Sequence, residues 1–250
     1  MGQIIAMAGK GGVGKTTIAG LLVRLIKEKK LGSILAVDAD ANSNLGESLG
    51  VEVKEDLGRI LDDIGINPGI VPVNMGKDAF IEYRAHSAII EAGGFDLLAM
   101  GKPEGPGCYC YLNNALRNVM DKLVKGYDFV IIDNEAGLEH LSRRTSRQVD
   151  VMLVVTDPSA AGLRSAKRIS GLTKELNIKA AKEFLIVNRS SGNIRPDILE
   201  GLRLECLGFL PIDPEIDNLS RQGASLMNLG DDNLTLNALG KLGEKIWLCN

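Results

Sequence analysis

The sequence predicts an α/β fold in which a mainly parallel β-sheet carries helices on both faces. Short apolar runs alternate with segments of helical period along the whole chain, which is the pattern of such a sheet. Most polar residues suited to chemistry directly follow these runs, and parallel sheets bind ligands at the carboxyl ends of their strands. We expect residues 1–250 to form a single domain, because no Pro/Ser-rich linker interrupts the alternation.

The same patterns place the elements in chain order. Seven apolar runs predict strands, at residues 3–8, 33–38, 95–100, 129–133, 151–156, 183–188 and 207–210. Six segments of helical period predict helices, at residues 16–29, 112–125, 160–176, 195–205, 214–222 and 234–247.

The composition and charge of the chain limit which binding partners and which cellular compartment we expect. With 29 Lys and Arg against 32 Asp and Glu, the chain has no overall positive field that would attract nucleic acid or an anionic membrane. No run approaches the roughly 18 apolar residues of a membrane span, and the N-terminus enters a strand without a leader pattern. We therefore expect a cytoplasmic protein that binds neither nucleic acid nor membrane, and we do not interpret its four cysteines as disulfides.

A phosphate-binding loop is the most informative motif. Residues 9–17 read GKGGVGKTT and lie between a strand and a helix, the context that a P-loop requires. Backbone N–H groups of such a loop surround the phosphates, Lys15 neutralises them, and the Thr16 hydroxyl reaches Mg²⁺. The motif predicts a site for ATP or ADP with Mg²⁺, built from Gly11, Gly12, Val13, Gly14, Lys15, Thr16 and Thr17.

The additional lysine at position 10 makes the motif resemble that of the deviant Walker A ATPases, which carry KGGxGK[ST]. That group includes septum-site and plasmid-partition ATPases, the nitrogenase iron protein and metallocentre maturation factors. The resemblance implies a P-loop NTPase fold and a homodimer in which Lys10 crosses to the partner's phosphates. It thereby assigns a catalytic role to Lys10 beside Lys15. A solvated surface lysine is the alternative.

Two further strand ends carry acidic residues suited to the nucleotide. Asp38 and Asp40 end the second predicted strand, and Asp133 ends the fourth. By resemblance, Asp40 positions the attacking water, Asp38 supports the Mg²⁺ shell, and Asp133 is the Walker B carboxylate on the metal side of the site. Asp38 or Asp40 could instead cap a following helix.

Late strand ends supply the expected base pocket. Family resemblance assigns Asn188 to the adenine ring, and an amide side chain offers both the donor and the acceptor that a purine edge requires. Pro211 follows another strand end and is expected to form the opposite wall of the pocket. The NKxD pattern that selects guanine is absent, because Arg189 follows Asn188, and ATP is therefore preferred over GTP.

Cys108 and Cys110 form a C-x-C pair and supply two thiolates within reach of one ion. Zn²⁺ and Ni²⁺ usually take four ligands, so one protomer supplies half a site. A two-fold dimer that brings both pairs together completes a four-cysteine site at its interface. Two incidental buried cysteines are the alternative.

The cysteine pair, together with the segment after Asp133, resembles that of the nickel-insertion ATPases serving carbon monoxide dehydrogenase and acetyl-CoA synthase. The resemblance implies a metallochaperone with such a nickel enzyme as its client. Two alternatives stay open. A Pro-Glu and Gly-rich run before Cys108 resembles that of the nitrogenase iron protein, which favours an Fe–S carrier or reductase, although Ala136 replaces the second cluster cysteine. A spatial-organising ATPase would share every nucleotide motif.

Overall fold

One eight-stranded sheet forms the centre of the computed structural model, and its strand order is β3-β4-β2-β5-β1-β6-β7-β8. The structure describes residues 2–40, 44–101, 110–136, 148–176, 178–192, 194, 199–202 and 204–247. The strands are β1 (Gln3–Gly9), β2 (Ile34–Ala39), β3 (Ile90–Ala92), β4 (Phe95–Ala99), β5 (Phe129–Asn134), β6 (Gln148–Thr156), β7 (Lys179–Val187) and β8 (Glu205–Phe209). All neighbouring strands run parallel except β3 and β4. The predicted α/β class is confirmed.

Helices cover both faces of the sheet. Those in the described part of the chain are α1 (Lys15–Glu28), α2 (Asn44–Leu49), α3 (Leu57–Ile66), α4 (Lys77–Ser87), α5 (Cys110–Leu123), α6 (Ala160–Glu175), α7 (Pro214–Gln222) and α8 (Leu234–Trp247). Helices α1, α2, α7 and α8 contribute to the apolar core on one face, and α3 to α6 contribute to the core on the other. Because both faces are covered, the central strands are apolar almost throughout, as in β2, where every residue is buried.

The structure differs from the sequence prediction mainly in the segment between β2 and β4. Helices α2, α3 and α4 and the short strand β3 were not predicted there. The side chain of Asp56 caps α3 by accepting from the Arg59 N–H at 2.9 Å. Helix α4 buries only Phe80, Ile81 and Ala85, so its apolar pattern is weak.

Three strands, β6, β7 and β8, begin earlier than predicted, and one predicted helix extends too far. β6 and β7 start at Gln148 and Lys179, where exposed residues alternate with buried or half-buried ones. Only their later halves are covered on both faces and therefore read as continuous apolar runs. Part of the predicted helix 195–205 lies outside the described residues, and Glu205 begins β8 instead of ending a helix.

The buried side chain of Arg24 links α1, the helix after the phosphate-binding loop, to a loop that is distant in sequence. Its side chain is 3% exposed and donates to the Leu226 and Leu229 carbonyls at 3.0 and 2.8 Å. Its remaining donors contact the partly exposed Glu28 and the 96% exposed Asp231. The two buried carbonyls depend on this guanidinium, whereas the two carboxylates have access to water.

We expect Arg24→Met to lower the free energy of unfolding by about 2–4 kcal/mol, because two buried carbonyl groups lose their donor. Urea unfolding monitored by circular dichroism measures the change. Asp231→Asn is the matched control, since it removes an exposed charge from the same cluster, and its expected cost is below about 0.5 kcal/mol. Equal effects of the two substitutions would contradict this account of the cluster.

Candidate nucleotide site

The phosphate-binding loop connects β1 to α1, and its backbone adopts angles that glycine readily allows. Gly12 and Gly14 adopt φ angles of +79° and +95°, in the left-handed region that side chains disfavour. Gly14 is the N-cap residue of α1, whose first turn therefore offers its N–H groups to a phosphate. A Cβ atom at Gly14 would lie 2.4 Å from the Asn188 Nδ2 atom, so the site excludes any side chain there.

Lys15 and Lys10 occupy different environments in this loop. Lys15 is 7% exposed, and its Nζ donates to the Lys10 carbonyl at 3.3 Å. Burial lowers the Lys15 pKa, while Asp133, Asp40 and Glu135 lie close enough to oppose that change. Lys10 itself is exposed, which fits both a lysine that reaches a partner and the alternative of a solvated surface lysine.

Two of the three residues predicted to hold Mg²⁺, Thr16 and Asp133, meet across 117 residues of sequence. The Thr16 hydroxyl donates to Asp133 Oδ2 at 2.6 Å. The other carboxylate oxygen, Oδ1, is buried and has no hydrogen-bond partner. Burial raises the Asp133 pKa to about 7, and the Thr16 hydrogen bond opposes the rise. A hydroxyl oxygen beside a carboxylate with an unsatisfied oxygen is a donor set that fits Mg²⁺.

Asp38 lies beside Asp133 in the sheet and also accepts hydrogen bonds from the backbone. The two residues are directly paired in the parallel register of β2 and β5. The Asp38 side chain is fully buried and accepts from the backbone N–H of Leu45 at 2.8 Å and of Asp40 at 3.2 Å. Burial raises its pKa to about 6. Asp38 therefore holds the first turn of α2, the capping alternative named above, while standing next to the metal side of the site.

The residues predicted to bind the base lie between the end of β7 and α7. A narrow cavity there is lined by Asn188, Pro211, Asp213 and Ile216, among others. Asn188 is not free to turn, because its Nδ2 donates to the Val13 carbonyl at 2.9 Å and its Oδ1 accepts from the Arg189 N–H at 2.9 Å. The amide still has one N–H and one lone pair for a base.

The cysteine pair lies at the limit of what the structure describes. Cys110 is the first residue of α5, whereas Cys108 lies outside the described residues. Within the described ranges, no three His, Cys, Asp or Glu side chains are grouped to hold a metal ion. Before the pair the structure describes the chain only as far as Gly101, and there the Met100 N–H, just after β4, donates to the Asp38 carbonyl at 2.8 Å.

Comparison with known proteins assigns the chain to a family. The family described as the CobQ/CobB/MinD/ParA nucleotide binding domain matches residues 4–226, which is most of the sequence. The chain belongs to this family. The protein is therefore a P-loop ATPase, and ATP hydrolysis is its activity.

Three similar proteins illustrate the range of this family. An uncharacterized ATP-binding protein of Methanocaldococcus jannaschii is 43% identical over 98% of both chains. The carbon monoxide dehydrogenase accessory protein CooC of Rhodospirillum rubrum is 30% identical, over 90% of this chain and 89% of that one. The crystal structure of the cell division ATPase MinD of Pyrococcus furiosus superimposes with a TM-score of 0.73 at 23% identity, covering 100% of both chains.

Sequence reasoning missed Arg189. Its guanidinium donates from Nη1 to the Gly12 carbonyl at 3.1 Å. Its only sequence signal is its position directly after Asn188, because neither its backbone angle nor its reach to the loop can be derived from residue patterns.

We expect Gly14→Ala to abolish ADP binding, because the new methyl group must displace Asn188 and the residue must keep a φ of +95°. Isothermal titration with Mg-ADP measures the loss. Gly11→Ala is the comparison for folding, since a Cβ there meets only Ala136 at 3.9 Å, and we expect it to leave thermal unfolding unchanged. Retention of normal ADP affinity in Gly14→Ala would show that the described loop geometry is wrong.

The raised pKa of Asp133 makes the stability of the nucleotide-free protein depend on pH. The folded chain binds this proton up to about pH 7, whereas the ordinary value is 3.8, so the folded state holds more protons between those limits. The free energy of unfolding should therefore fall as the pH rises from about 4 to about 7. In urea unfolding without Mg²⁺, the free energy of unfolding of Asp133→Asn should fall less over this pH range than that of the wild type. The fall that remains should come from Asp38. Identical pH profiles of variant and wild type would contradict the assignment.

Proposed function

We propose that the protein is a nucleotide-dependent homodimeric ATPase that binds Ni²⁺, or Zn²⁺, through Cys108 and Cys110 of both protomers. In this proposal it assists nickel insertion into carbon monoxide dehydrogenase or acetyl-CoA synthase. The observation that carries the proposal is the hydrogen bond from the Met100 N–H to the Asp38 carbonyl. It joins the segment that leads to the cysteine pair to the strand end beside the Mg²⁺ ligands.

That hydrogen bond supports a connection between the nucleotide and the proposed metal site. Cys108 follows Met100 by eight residues, and Asp38 is the neighbour of Asp133 in the sheet. A γ-phosphate that orders the loops after β2 and β5 would thus act on the same backbone that carries the cysteine segment. ATP would close the dimer and complete the four-cysteine site, and hydrolysis would reopen it.

The exposed Lys10 supports the dimer. Lys15 faces the phosphates of its own protomer, whereas Lys10 is exposed to solvent on the outer side of the phosphate loop. In a two-fold arrangement each Lys10 can neutralise charge on the partner's nucleotide, as an arginine finger does in other NTPases. The likeness to the accessory protein of carbon monoxide dehydrogenase, at 30% identity, favours the nickel client.

A spatial-organising ATPase is the second candidate, favoured by the match of the whole fold to a cell division ATPase. A membrane-acting member would need a free amphipathic helix. The C-terminal helix α8 instead buries Leu236, Leu239 and Ile246 in the core shared with α1. Within the part of the chain that the structure describes, no helix combines the length and apolar character needed to cross a bilayer. The remaining candidate, an iron–sulfur carrier, would use the same cysteines.

We expect the purified protein to bind one Ni²⁺ per dimer, and Cys108→Ala and Cys110→Ala each to abolish that binding. Titration of Ni²⁺ and Zn²⁺ with ADP, with ATP and without nucleotide gives the stoichiometry. Lys10→Ala should leave ADP binding intact but lose ATP-dependent dimerisation in analytical ultracentrifugation, and hydrolysis should fall with it.

Cys206→Ala is the matched control for the titration, because this half-buried cysteine lies in β8. It should bind Ni²⁺ as the wild type does. Unchanged stoichiometry in both Cys108→Ala and Cys110→Ala would refute the metal site. A brown protein with thiolate-to-iron absorption after anaerobic isolation would support the iron–sulfur candidate, and ATP-dependent sedimentation with lipid vesicles would support the spatial organiser.

A further inference from the structure

Arg189 holds a backbone conformation that its side chain disfavours. Its φ angle is +54°, and Lys30 is the only other non-glycine residue with a positive φ in the described part of the chain. Such a conformation costs roughly 1 kcal/mol or more and persists only where surrounding contacts impose it. The residue stands between the base pocket and the phosphate loop, directly after Asn188.

The Arg189 side chain has contacts on both sides. The Arg189 Nη1 atom donates to the Gly12 carbonyl at 3.1 Å, while Nη2 lies 3.9 Å from Asp217 Oδ1 on α7. The preceding Asn188 donates to the Val13 carbonyl at 2.9 Å. Two consecutive residues of the base pocket thus bind two consecutive carbonyls of the phosphate loop.

Holding those carbonyls also orients the donors that face the phosphates. A trans peptide group is planar, and its C=O and N–H point in opposite directions. When Arg189 fixes the Gly12 carbonyl, it fixes the N–H of Val13, and when Asn188 fixes the Val13 carbonyl, it fixes the N–H of Gly14. A hydrogen bond to each carbonyl also polarises its peptide group, which strengthens the opposite N–H as a donor.

We propose that Arg189 is a positioning residue for phosphate binding, which acts through the Gly12–Val13 peptide group. It links occupancy of the base pocket to the orientation of the phosphate loop. The guanidinium is half-exposed beside Asp217.

Arg189→Asn tests this proposal, because asparagine tolerates a positive φ and its short side chain lacks the guanidinium. We expect the affinity for Mg-ADP and for Mg-diphosphate, a probe without a base, to fall by a similar factor of about tenfold. The KM for ATP should rise by that factor, with kcat at saturation within about twofold of the wild type. Arg189→Lys, which keeps one charged donor, should recover part of the loss.

A loss of ADP affinity with unchanged diphosphate affinity would overturn the proposal, because it would place the action of Arg189 at the base alone. Unchanged affinity for both ligands would overturn it as well. Arg189→Gly removes the side chain and the backbone strain together, and it replaces Arg189→Asn in the same measurements if the latter does not fold. Arg221→Asn, at an exposed arginine in the last turn of α7, controls for the loss of a positive charge and should leave both affinities unchanged.

Discussion

The parallel register of β2, β5 and β1 is the constraint on which the nucleotide site depends. It pairs Asp38 with Asp133 and places β1, which leads into the phosphate loop, on the other side of β5. The hydrogen bond from Thr16 to Asp133 spans 117 residues and exists only because these strands are neighbours that end at one edge. A shift of one residue in this register would turn Asp133 toward the opposite face of the sheet.

This constraint places two carboxylates in the interior at a cost to stability. Asp38 and Asp133 are almost completely buried, and burial raises the pKa of each, to about 6 and about 7. Their partners, the N–H groups at the start of α2 and the Thr16 hydroxyl, offset part of that cost. One oxygen of Asp133 still has no partner. Local violations of this kind are typical of functional sites, where a ligand supplies the missing interaction.

Sequence patterns could predict the parts of this site that depend on local chemistry. The glycines of the phosphate loop and the apolar strands before Asp38 and Asp133 carry their signal in a few adjacent residues. Arg189 could not be predicted, since its role depends on a left-handed backbone and on a contact with Gly12 177 residues away. Helix α4 was missed because its buried residues are few. Such features are set by tertiary contacts rather than by period or propensity.

In the proposed function, the nucleotide acts on the cysteine pair through the edge of the sheet where the Met100 N–H donates to the Asp38 carbonyl. Anomalous diffraction at the nickel absorption edge tests this connection most directly, on crystals grown with Ni²⁺ and a non-hydrolysable ATP analogue. We expect a single nickel peak on a two-fold axis, coordinated by Cys108 and Cys110 of both protomers. A nickel-free interface, or a peak held by other residues within one protomer, would contradict it.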